Sequence, residues 1–167
     1  MTRVHIQGKL PSLNDYIRAC RASPHVGNKM KIEYEDIIML QLGRMQRITE
    51  PVRVKFIWHE KNRRRDKDNV AFAKKFVFDA MQKAGKLIND NNDYIMGFSD
   101  EFVYGVDYGV TVIVEAASER EVSEKLAECF SELVKILNTD NSISPRLAYF
   151  LLREKILAAE QSIRRNR

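Results

Sequence analysis

The stretch NVAFAKKFVFDAMQKAG, residues 69–85, sets apolar side chains at Val70, Ala73, Val77, Ala80, Met81 and Ala84. These positions form one stripe of a helix with 3.6 residues per turn. Gly85 follows where a helix commonly ends in the left-handed region. Upstream, Val52, Val54, Phe56 and Trp58 alternate with Arg53, Lys55 and Ile57, the period-2 pattern of a strand. A strand joined by a polar loop to an amphipathic helix makes a mixed α/β (α+β) domain the expected class.

Working outward, Val4 and Ile6 alternate with polar neighbours over residues 2–8 and predict a first strand. LPSLNDY then reads as a loop, and the apolar spacing around Tyr34, Ile37, Ile38, Leu40 and Met45 predicts a helix over about 31–46. Residues 106–115 predict a last strand, with a shorter extended piece at 98–104. The order is β-α-β-α-β-β, a small sheet of about four strands with helices packed on it. Beyond it, Ser118 and Glu121 have capping-box spacing before Val122, Leu126, Cys129, Phe130, Leu133 and Leu137. Ser144 and Pro145 open a second apolar series, so residues 118–165 predict an antiparallel helical pair. The chain thus divides into a domain over 1–116 and a helical extension over 117–167.

The chain has 167 residues, 44% hydrophobic and 31% charged, a composition that supports a folded core and excludes general disorder. Its apolar runs are too short to cross a membrane, and its start lacks the apolar segment of a signal peptide. Cytoplasmic location is the expectation. Cys20 and Cys129 form no metal-type spacing and read as reduced thiols. Net charge is +5, but its distribution is uneven: residues 52–86 hold 11 basic and 4 acidic side chains, residues 87–115 none and 6.

The chemistry concentrates in Arg63-Arg64-Arg65-Asp66-Lys67-Asp68-Asn69. In an extended segment alternate residues point the same way, so Asp66 and Asp68 can converge while Lys67 faces elsewhere. Paired carboxylates of this kind suit Mg²⁺, which binds through one or two carboxylates, waters and substrate phosphates. At about 100° per residue, Lys75 and Asp79 lie within about 20° of Asp68 around a continuous helix, whereas Lys74 is turned away by about 120°. Lys75 is the better placed lysine, and Asp90 follows after a turn. Carboxylates among arginines suggest metal-assisted attack on a phosphodiester, the cations holding flanking phosphates. The competing reading makes an Asp just before the helix an N-cap, the basic run a solvated loop, and Asp79 a salt-bridging residue between Lys75 and Lys83. His59 reads as solvent-facing, and Tyr16, Trp58, Phe72, Phe76 and Phe78 as core or near-core aromatics.

Over residues 2–115 the chain resembles the RusA family of crossover-junction (Holliday-junction) endodeoxyribonucleases, many of them encoded by prophages. The resemblance rests on the Arg-rich run with Asp66-Lys67-Asp68-Asn69, then Lys75, Phe78-Asp79-Ala80, Lys83-Ala84-Gly85 and Asp90, and on the early Pro11-Ser12-Leu13-Asn14. It implies metal-binding aspartates at Asp66, Asp68 and Asp90 and an essential lysine at Lys75. It departs from the family pattern in a longer interval between Asp68 and Phe78, which leaves Lys74 open as the alternative, and in Asn89, where a second acid is common. The implied activity is Mg²⁺-dependent resolution of four-way DNA junctions in recombination and repair by a homodimer, with Mn²⁺ able to substitute and no nucleotide cofactor. Asn14, Arg63, Arg64, Arg65, Lys67, Asn69 and Lys74 are the expected DNA contacts. A non-catalytic structure-selective DNA-binding protein and a broader branched-DNA nuclease are the alternatives.

Overall fold

The computed structural model describes residues 1–43, 45–139 and Arg153. Strand β1 (Thr2–Gln7) leads to helices α1 (Leu13–Ala22) and α2 (Pro24–Leu42). Strand β2 (Val52–Glu60) is followed by α3 (Lys67–Ala71) and α4 (Lys74–Lys83), then β3 (Ile95–Tyr104), β4 (Gly109–Ala116) and α5 (Glu119–Thr139). The four strands form one mixed sheet in the order β1-β4-β2-β3. Strand β4 runs antiparallel to both β1 and β2, whereas β2 and β3 are parallel. The expected α+β architecture is present, and the structure supplies the strand order that periodicity leaves open.

The alternation along β2 decides which face is buried. Val52, Val54, Phe56, Trp58 and Glu60 are buried, and their register partners Val114, Val112 and Val110 on β4 are buried with them. Helices α2 and α4 cover this face, and Ile38, Leu42, Phe76, Val77 and Met81 complete the core. The opposite face carries Arg53, Lys55 and Ile57 of β2 together with His59. His59 is not simply solvent-facing as the alternation suggests. It is half-buried, its ring lies edge-on to His5, and both rings bond the Thr111 hydroxyl at 2.9 Å. That burial, with His5 beside it, lowers its pKa.

Three local features differ from the sequence reading. Within LPSLNDY, residues 10–16 and expected as loop, the chain instead starts α1 at Leu13, because Ser12 accepts from the Asp15 backbone N–H while Asp15 accepts from the Ser12 backbone N–H. This reciprocal capping box satisfies two orphan donors and starts the helix. Replacing Ser12 with Ala is expected to cost about 1 kcal/mol, measurable as a lower denaturant midpoint with an unchanged m-value. Helix α2 begins at Pro24 rather than near residue 31, since the Ser23 hydroxyl accepts from Val26 N–H and Pro24 needs no donor partner. It ends at Leu42, where Gly43 turns to φ +41°.

The third difference matters for function. The helix expected over residues 69–84 is two helices, α3 and α4, broken at Phe72 and Ala73. There the chain tightens into i→i−3 bonds, Lys75 N–H to Phe72 C=O and Phe76 N–H to Ala73 C=O, as in a 3₁₀ turn. A constant 100° step therefore does not run from Asp68 to Lys75. Phe72 uses the break to pack on Tyr16 and Phe76.

After β4, Ser118 and Glu121 form the expected capping box. Glu121 also bonds Arg53 of β2, and these partners lower its pKa to about 2. Val122 and Leu126 of α5 pack with Ala117 and Met96. The second helix of the expected pair, from Ser144 onward, lies outside the described residues, as do the side chains of Cys129, Leu133 and Leu137. Among the described residues no helix is long and apolar enough to cross a membrane.

Candidate nucleic-acid interface

The basic loop 61–66 leaves β2 at its carboxyl end, where open α/β sheets commonly hold ligands. It is anchored by Arg65, which donates to the buried Glu60 carboxylate at 2.9 Å and to the Leu10 carbonyl at 3.0 Å. Burial raises the Glu60 pKa, and Arg65 with Lys9 opposes that rise. The Leu10 contact ties the loop to the start of α1, so exposed Asn14 in its first turn stands at the same end of the sheet. The β3–β4 turn joins them, because Gly105 N–H donates to the Glu60 carbonyl at 2.9 Å. Arg65, expected to contact DNA, is thereby largely committed to holding the loop.

Asp66 and Asp68 are exposed at this end. Asp66 occupies the N-cap position of α3 yet accepts no capping bond through its side chain, so the simple N-cap reading fails. Among the described residues its carboxylate receives only a long bond, 3.4 Å, from Asn69. The Asp68 side chain has no hydrogen bond or ion pair with any described residue. The neighbouring cations instead lie over rings: Arg63 over Tyr104 at 5.0 Å and Lys67 over Phe102 at 5.5 Å. Arg64 is exposed.

The two candidate lysines are engaged elsewhere. Lys75 donates to Asp79 at 2.8 Å, one helical turn on. Asp79 also pairs with Lys31 of α2 at 2.8 Å, and these two lysines lower its pKa against the opposing effect of burial. Asp79 is thus a salt-bridging residue, as expected, but with Lys31 in place of Lys83, which turns to Glu35. Lys74 donates to Asp100 of β3, whose other oxygen accepts the Trp58 indole N–H at 2.8 Å. Sequence reasoning missed Asp100; its alternation with Phe98 and Phe102 was the available signal.

Asp90 is not brought to Asp66 and Asp68. Ile95, the first residue of β3, is registered with Val52, and Val52 N–H donates to the Tyr94 carbonyl at 2.8 Å. The 85–94 connection therefore sits at the amino end of β2, and its Leu87 bridges Ile48 there. The length of β2, about 26 Å at about 3.3 Å per residue, separates the two ends. Among the described residues no group of three or more His, Cys, Asp or Glu is placed to hold a metal ion.

The chain matches no family profile and no curated protein.

What remains at the carboxyl end of β2 is a pair of solvent-facing carboxylates two residues apart within a ring of cations. That pair fits a hard divalent ion that arrives with a phosphate, since such an ion needs only one or two carboxylates beside waters and phosphate oxygens. The set of three aspartates within one chain does not fit.

Proposed function

We propose that this chain is an endonuclease of branched DNA, with the four-way junction as its substrate. The observation that carries the reading is the contrast at residues 63–68: the cations Arg63 and Lys67 lie over aromatic rings while the adjacent Asp66 and Asp68 carboxylates carry no ion pair with any described residue. Carboxylates left open beside cations suit an incoming metal and phosphate better than internal stability. The resemblance to the RusA family, carried by the same residues, supports the choice of substrate.

In this reading Asp66 and Asp68 hold the divalent ion, which when bound polarises the phosphate and activates water. Arg63, Arg64 and Lys67 hold the flanking phosphates, and Arg65 keeps the loop in place through Glu60 and Leu10. Lys75, tied to Asp79, takes no part in the chemistry within the chain. A homodimer would present two such loops to the two-fold symmetry of a junction. Truncation after Ala116 tests whether the extension supplies the dimer contact, a solution mass that stays dimeric excluding it. A second reading, a structure-selective DNA-binding protein without catalysis, is favoured by the position of Asp90 at the opposite end of β2.

The deciding experiment incubates the protein with an end-labelled four-way junction and a matched linear duplex, with Mg²⁺ or EDTA. Paired, Mg²⁺-dependent nicks are expected in the junction. Asp68→Asn should lower their rate by about 100-fold or more, because metal stabilisation of the transition state is worth several kcal/mol, while junction binding persists. Junction binding without cutting under every metal condition would select the non-catalytic reading, and equal cutting of both substrates the broader nuclease.

A further inference from the structure

The free edge of the sheet at β3 carries a regular surface feature. Phe98, Asp100, Phe102 and Tyr104 lie on the face of β3 registered with the helix-covered residues of β2. Lys74 stands over Phe98 at 4.5 Å, Lys67 over Phe102 at 5.5 Å and Arg63 over Tyr104 at 5.0 Å. Around the corner, Lys9 and Lys61 each lie 5.6 Å from the Tyr108 ring. All cation–ring contacts among the described residues fall on this one edge and its adjoining end, or on Phe56 beneath it. Such contacts occur in proteins about once per 70–80 residues, so five cations stacked on four neighbouring rings form a built surface.

From this we infer that the β3 edge is a path for an unpaired DNA strand, with bases on Phe98, Phe102 and Tyr104 and phosphates on Lys74, Lys67 and Arg63. Each rung offers one ring and one cation, matching a ligand whose repeat is one base and one phosphate. An acidic peptide would use the cations and leave the rings unsatisfied. Phe102 and Tyr104 are one two-residue step apart, about 7 Å, and Phe98 lies two such steps from Phe102, about 13 Å with Asp100 between them, against a 3.4 Å rise between stacked base pairs. The rungs therefore suit bases splayed apart, and a closed duplex offers no base face to a ring. Phe98 is 56% exposed, so its ring is accessible. A base that takes the ring of Phe102 or Tyr104 displaces Lys67 or Arg63 toward the adjacent phosphate, while Lys74 stays beside Asp100 next to Phe98; bases stacked on aromatic rings with cations along the backbone are how single strands are commonly held. The path leads from the middle of β3 to the loop carrying Asp66 and Asp68. It rests on the reading of the chain as a DNA-binding protein and does not depend on cleavage.

The test is fluorescence anisotropy with labelled dT12, rU12, a blunt 12-base-pair duplex and a four-way junction, in EDTA. Wild type is expected to bind dT12 more tightly than the duplex. The double variant Phe98→Leu, Tyr104→Leu should lose about tenfold or more on dT12, with duplex binding within about twofold and the salt slope kept, since every cation remains. Thermal melting by circular dichroism checks that it folds. If the variant binds dT12 like wild type, or wild type prefers the duplex, the path is refuted. Tighter binding of rU12 than dT12 would overturn the DNA assignment. Junction binding without dT12 binding would refute the path and leave the nuclease proposal standing. Binding of dT12 without junction cutting would do the reverse.

Discussion

Removing both lysines that face Glu35, as Lys31→Met with Lys83→Met, is expected to destabilise the fold by about 3–5 kcal/mol, whereas Glu35→Met alone is expected to cost far less. Glu35 of α2 is fully buried and paired with Lys83 of α4, with Lys31 at 3.6 Å. One of its oxygens has no hydrogen-bond partner among the described residues. Taking the cations away leaves a buried carboxylate with nothing to offset its desolvation, the expensive way to break such a pair. Taking Glu35 away leaves two lysines whose side chains are 33% and 49% exposed and can turn to water. A buried ion pair replaced by an apolar group of similar volume is often close to neutral. Urea denaturation of the three proteins at pH 7 checks the asymmetry. Equal losses from the two kinds of variant would show that the network contributes through packing and not through charge.

Arg65→Met should produce the second large effect, about 3 kcal/mol at neutral pH, with a pH dependence of defined sign. Glu60 is buried and its side chain only 6% exposed, with Arg65 as its ion-pair partner at 2.9 Å. Burial already raises its pKa above 4.5, so the fold favours the protonated acid relative to the unfolded chain. The penalty is absent below the unfolded value and grows as pH rises through the folded one. Without Arg65 the folded pKa moves further up. The stability gap between wild type and Arg65→Met should accordingly be small near pH 4.5 and widen toward pH 8, as read by denaturant midpoints across that range. A gap independent of pH would exclude Glu60 as its source. The same substitution frees the 61–66 loop from Leu10, so any junction cutting should fall with it.

These networks show where sequence reasoning stops. The strand at residues 52–58 and the core stripe Val70, Val77, Ala80 and Met81 are legible because burial on one face imposes a period. The Ser118–Glu121 capping box is legible because it is a local exchange of hydrogen bonds. Helix α1 is not legible although Ser12 and Asp15 carry the same signal, because Pro11 and Asn14 read as turn residues. The break at Phe72 and Ala73 has no local marker. It follows from the packing of Phe72 against Tyr16, a contact across 56 positions of the chain.

For the site, the sequence by itself determined its chemistry: two carboxylates within a basic run, at a strand-to-helix junction. It also determined the class of the fold, since period-2 and period-3.6 patterns are set by backbone geometry that every residue shares. Only the tertiary structure decided the neighbours. The parallel pairing of β2 and β3 sends Asp90 to the far end of the sheet, the Glu60 pair withdraws Arg65 into a supporting role, and the edge position of β3 lines its rings with cations. The physical reason is common to all three. Which charges meet depends on strand order and on long-range burial, and neither leaves a periodic trace in the chain.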